Sequence, residues 1–133
     1  AIEFAFQAKP TKLGASLGIN LRLAAYAGNM CTVVRDLRRV LNDCCSAFGC
    51  ELLPLPISAC ADGRDDTSIQ SLISEIPAAR PLVENWRTPR GAIDVAGRCR
   101  VVVTGSYHAA VFALAQGVPT VCLSMSTYYA DKF

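Results

Sequence analysis

The sequence predicts an α/β domain built on an open, doubly wound parallel sheet of about five strands with helices on both faces. Three observations carry that expectation. Apolar residues make up 52% of the 133-residue chain and charged residues 18%, the balance of a protein that buries both sides of a sheet. Short β-branched runs alternate with segments of helical spacing, and glycine and proline punctuate the junctions between them. The length fits a single domain, 1–133, with 1–13 reading as a tail or linker.

The elements follow in order. "LGINLRLA" (17–24) lies between Gly14 and "YAGN" (26–29) and reads as a strand and its loop. From Met30 to Phe48, Val33, Val34, Leu37, Val40, Leu41, Cys44, Cys45 and Phe48 recur at three- and four-residue spacing, a long amphipathic helix that Gly49 stops. "CELLPLPIS" (50–58) reads as a second strand, with Pro54 and Pro56 removing ladder donors and so marking its end or a sheet edge. "ADGRDDTSIQSLISEI" (61–76) begins as a loop and turns helical at Asp66 or Thr67. There Thr67 and Gln70 have capping-box spacing, and Ile69, Leu72, Ile73 and Ile76 share a stripe.

"PLVENW" (81–86) is a candidate strand, and "TPRGAIDVAG" (88–97) a short helix with Thr88 as cap, Pro89 in its first turn and Gly97 closing it. "RVVVT" (100–104) reads as a buried strand and 107–116 as a helix ended by Gly117 and Pro119. "TVCLS" (120–124) makes the last strand. The chain then runs out in "YYADKF" (128–133) without a closing helix, so one half of a larger protein is expected.

Composition excludes several functions. A net charge of +2 is too small for sequence-independent nucleic-acid binding, and "RDLRR" (35–39) reads as a solvated helix face. Seven cysteines with no C-x-x-C pair and a single histidine signal neither a zinc site nor a complete disulfide framework. Reduced cytosolic thiols are expected, with Cys44, Cys45, Cys99 and Cys122 acting as small hydrophobes. No apolar run reaches the ~18 residues a membrane span needs, and the first residues given lack the basic-then-apolar layout of a signal peptide. A soluble cytoplasmic protein without metal or cofactor is expected. Asp62, Asp65 and Asp66 read as a solvated, helix-capping loop, and "LGASLG" (13–18) precedes a strand instead of following one, so it fails as a dinucleotide fingerprint.

In such a sheet, ligands bind beyond the carboxyl ends of the strands, where the winding reverses. Arg22, the turn Gly105-Ser106-Tyr107-His108 and the segment from Ser124 to Lys132 all fall there. A glycine turn opening a helix presents unpaired N–H groups and a partial positive charge, which suits phosphate or carboxylate. His108 has two readings. It is a first-turn ring bonded to a neighbouring carbonyl, or a group that exchanges a proton near neutral pH beside a bound anion. Arg22 is a surface ion-pair residue or a bidentate clamp for an anion, with Lys132 adding a point charge. Tyr128 and Tyr129 pack or wall a sugar.

These residues carry a resemblance. "GINLR" (18–22) and above all "VVVTGSYHAAVFALAQGVPTVCLSMSTYYADKF" (101–133) resemble the carboxyl-terminal half of the polysaccharide pyruvyl transferase family. The resemblance implies a Rossmann-like half of a two-domain GT-B-like transferase that moves a pyruvyl group from phosphoenolpyruvate to sugar hydroxyls as a ketal. It implies His108 as the acid or phosphate-binding cation, Arg22 as the carboxylate clamp, Lys132 as the family lysine, and the Gly105–Tyr107 backbone at the phosphate. Ser106 stands where the family has an arginine.

The expected partners are phosphoenolpyruvate or another small anion, a sugar acceptor, and an amino-terminal domain or a second copy, the fragment alone being inactive. Two alternatives remain: the nucleotide-sugar-binding half of a GT-B glycosyltransferase, and a non-catalytic binding or oligomerisation domain.

Overall fold

The computed structural model describes residues 12–21, 30–59, 64–124 and 127–131. Along the chain come β1 (Ser16–Asn20), α1 (Met30–Phe48), β2 (Leu52–Pro54), α2 (Asp65–Ile73), α3 (Pro89–Gly97), β3 (Cys99–Thr104), α4 (Tyr107–Leu114), β4 (Thr120–Cys122) and α5 (Thr127–Ala130). The strands are parallel and ordered β2-β1-β3-β4. The chain therefore steps outward from β1 to β2, then returns past β1 to β3 and β4. Winding reverses between β1 and β3, which puts the crevice at their carboxyl ends.

Each face of the sheet has its own core. On one, Leu17 and Ile19 of β1 meet Leu41 and Cys45 of α1 and Ile69, Leu72 and Ile73 of α2. On the other, Val102 of β3 meets Ala92, Ile93 and Ala96 of α3 and Ala109, Phe112 and Ala113 of α4. Burying a leucine or isoleucine completely, as at Ile19, Ile69 and Leu72, contributes about 1.5–3 kcal/mol each. Gly18 leaves room for side chains of the neighbouring strand β3: a Cβ there would lie 2.7 Å from Cys99 Sγ and 2.9 Å from a Val102 methyl.

Several expectations meet the structure directly. Helix α1 has the predicted bounds, and Gly49 ends it at φ 60°, as Gly117 does beyond α4 at φ 71°. Thr88 caps α3, its hydroxyl accepting from Gly91 N–H at 3.0 Å. The prolines do place β2 at a sheet edge. Main-chain bonds from Leu52 to Ala78 and from Arg80 to Leu52 cover part of that edge.

Others need correction. Among the described residues the sheet has four strands, because 81–86 makes no ladder: Val83 packs on the core beside α3, and residues 84–87 turn. The second strand is only Leu52–Pro54, cut short by its prolines. Helix α2 starts at Asp65 with Arg64 as N-cap, so Thr67 caps nothing and instead donates to Arg64 O at 3.1 Å.

On α1 the buried line runs through residues 34, 37, 41, 44 and 45, while Val33 and Val40, rotated ~100° from Val34 and Leu41, stay exposed with Phe48. Arg38 is not on a solvated face. It donates to Ser71 O, Leu72 O and Glu75, closing the carboxyl end of α2. No helix among the described residues is long and apolar enough to cross a membrane.

Burial pushes the Cys99 thiol up to about 12 and, with its neighbours Cys50 and Cys44, the Cys45 thiol up to about 11. In the unfolded chain these thiols ionise near 9, so above that pH the folded state holds protons that the unfolded state has released. Stability is therefore complete below pH ~9 and declines as pH rises through 11 to 12. Urea midpoints measured between pH 7 and pH 11 are expected to fall across that window, and replacement of Cys99 by alanine should flatten the fall.

Candidate functional site

At the carboxyl ends of β1 and β3 a buried polar network joins five segments. Asn20, Asp65 and Thr104 are each fully buried. The Asn20 amide donates to Leu55 O at 3.0 Å and to Asp65 Oδ2 at 2.9 Å, and its oxygen accepts from the Thr104 hydroxyl at 3.1 Å. Asp65 Oδ2 also accepts from the N–H groups of Ile57 and Ser58. Thr104 Oγ1 accepts from Ser106 N–H at 2.8 Å, and Gly105 N–H donates to Asn20 O at 3.1 Å. Among the described residues every buried side-chain polar atom has a partner. Asp65 is thus an anchor within the fold and not part of a solvated loop, as is Asp66, which Arg64 grips through both oxygens at 3.0 and 2.6 Å. That grip holds the Asp66 carboxyl below its usual range.

The network decides what the turn offers a ligand. Two of its amides, Gly105 and Ser106, bond inside the fold, and the first α-helical bond runs from Ala110 N to Ser106 O. The donors of α4 outside that ladder are therefore the N–H groups of Tyr107, His108 and Ala109. Gly105 has open space beside it, since a Cβ there would meet only Leu123 O at 3.7 Å.

His108 is exposed, and its ring makes no hydrogen bond to another described residue. The Tyr107 ring stands edge-on to it, with centroids 5.9 Å apart at 78°. The imidazole borders a cleft of about 220 Å³ lined by Ile57, by residues 86–89 and Ala92 at the start of α3, and by Phe112 one turn further along α4. Its floor is apolar, because Ala92 and Phe112 are core residues. The amino ends of α3 and α4 and the residues after β2 all lie at the carboxyl edge of the sheet, where the winding argument places a ligand. The volume suits a small metabolite, below the ~300–1,000 Å³ of pockets for larger ligands.

The predicted site residues come together only in part. His108, Tyr107, Ser106 and Gly105 share the strand-to-helix turn, with His108 alone of the four lining the cleft. Arg22, Asp62 and Lys132 lie outside the described residues, as do the side chains of Tyr128 and Tyr129. Asn20, Thr104 and Arg87 were not foreseen. Asn20 and Thr104 are single polar residues ending apolar strands, a signal available in the sequence. No group of residues suited to a metal ion occurs among those described.

A model of the polysaccharide pyruvyl transferase family matches residues 35–127, more than half of the chain. No curated protein and no solved structure matches it.

Proposed function

The chain belongs to the polysaccharide pyruvyl transferase family, and from that premise we propose that the cleft beside His108 takes phosphoenolpyruvate and that the protein transfers its pyruvyl group to two hydroxyls of a sugar. The observation that carries this reading is an exposed imidazole with no hydrogen bond to another described residue, at the rim of a small cleft on the carboxyl edge of the sheet.

The chemistry needs one proton relay. The enol π pair of the donor takes a proton at its methylene carbon, which becomes the methyl group. The adjacent carbon, now oxocarbenium-like, bonds the oxygen of the first sugar hydroxyl. The bond from that carbon to the phosphate oxygen then breaks, its electron pair leaving with phosphate, and the second hydroxyl oxygen closes the ketal. Two hydroxyl protons are released in all, one replacing the proton given to carbon and the other leaving on phosphate. An imidazole that gives a proton and takes one back meets that balance without net change.

His108 is the proposed relay. The first-turn amides of α4 are proposed to face the developing negative charge. Arg22 and Lys132 are assigned to the donor carboxylate and phosphate on the family resemblance.

Thermal-shift measurements on the full-length protein test the ligand class. Phosphoenolpyruvate is expected to raise the melting temperature with saturation, whereas nucleotide-sugars should leave it unchanged. The opposite ranking would assign the domain to glycosyl transfer.

A further inference from the structure

A donor carrying both a carboxylate and a phosphate brings at least two negative charges to an apolar-floored cleft. Anions are expensive to desolvate unless paired. The turn before α4 supplies no permanent cation: it offers a serine hydroxyl, a phenol and an imidazole, and two of its amides are engaged. Among the residues that line the cleft, Arg87 is the one group charged at every physiological pH.

Arg87 also differs from the arginines that the fold itself engages. Arg38, Arg64 and Arg80 each grip a carboxylate, Glu75, Asp66 and Glu51 respectively. Arg87 has no ion pair or hydrogen bond with another described residue. Its guanidinium carbon sits 5.0 Å from the centroid of the Trp86 ring, and that ring is only 8% exposed, a fixed platform. Held over that ring by a cation–π contact and bonded to no other described residue, the guanidinium keeps its N–H fork available for a two-pronged bond to an oxyanion. The acidic group within electrostatic reach, Asp66, is already held by Arg64, so it does not claim Arg87.

We infer that Arg87, positioned by the Trp86 ring, is the anion-binding residue of the cleft and grips an oxyanion of the donor beside His108. The inference rests on the reading of this cleft as the donor site. It moves the cation from the strand-to-helix turn, where Ser106 stands, to the segment that leads into α3.

The test is titration calorimetry of the full-length protein with phosphoenolpyruvate and, separately, inorganic phosphate. In Arg87→Ala, affinity for phosphoenolpyruvate is expected to fall about tenfold to a hundredfold, the scale of a lost charge-assisted bond. Arg87→Lys should recover part of it, because an ammonium keeps the charge without the fork. In turnover, Arg87→Ala should raise KM for the donor more than it lowers kcat. The exposed position predicts an unchanged melting temperature, and Arg87→Lys decides the matter should alanine lower it.

Equal affinity in wild type and Arg87→Ala overturns the inference and leaves the donor reading intact. Phosphate binding that is lost in Arg87→Ala, in a wild type blind to phosphoenolpyruvate, supports the anion site and overturns the donor reading. A wild type that binds neither probe overturns both.

Discussion

Replacing His108 with alanine in the full-length protein is expected to reduce ketal formation by about 10²–10⁴-fold, the range of a lost general acid–base group. The loss should lie in kcat. Because the ring is exposed and bonded to nothing else in the described structure, the variant should unfold within about 0.5 kcal/mol of the wild type. Ketal formation is read by the pyruvyl methyl signal on the acceptor and by phosphate release measured in parallel. Turnover retained within tenfold would remove His108 from the chemistry and return it to the role of a first-turn surface residue.

The second large effect is on stability. Asp65→Ala is expected to cost about 3–5 kcal/mol, because it strands one donor of the fully buried Asn20 amide and the half-buried N–H groups of Ile57 and Ser58. Urea denaturation at neutral pH measures it. Asp65→Asn, which keeps one carbonyl acceptor, should lose less. A cost below 1 kcal/mol for the alanine variant would show that water replaces the carboxylate and that the network is not an anchor. Ile57 walls the cleft, so the same variant should also weaken ligand binding.

The parts of this molecule written in local patterns were legible. Helix α1 announces itself by apolar spacing and a terminal glycine, and Thr88-Pro89 marks the start of α3 with a cap whose bond the structure contains. The strand expected at 81–86 failed because two adjacent apolar residues serve equally well as a packed turn. Its half-buried Val83 touches the core without any ladder to join.

The aspartates before α2 look solvated in sequence since nothing nearby reveals their partners. Asp65 meets Asn20 across 45 positions, and Asn20 meets Thr104 across 84. The same distance effect hid Arg87. Its role depends on α3 and α4 packing side by side, and no motif links it to His108.

The Asn20–Thr104 bond has a bearing on how the sheet selects its alignment. In β3, Val101 and Val103 face one core and Val102 the other, so sliding the strand by one residue would exchange valines for valines at little hydrophobic cost. Apolar patterning alone is nearly blind to such a slip. A one-residue offset would instead pull Thr104 from Asn20, break the amide bond from Gly105, and jam a different side chain against Gly18. The polar node therefore acts as a vernier stop for a strand greasy on both sides, and the placement of His108 inherits its accuracy from that stop.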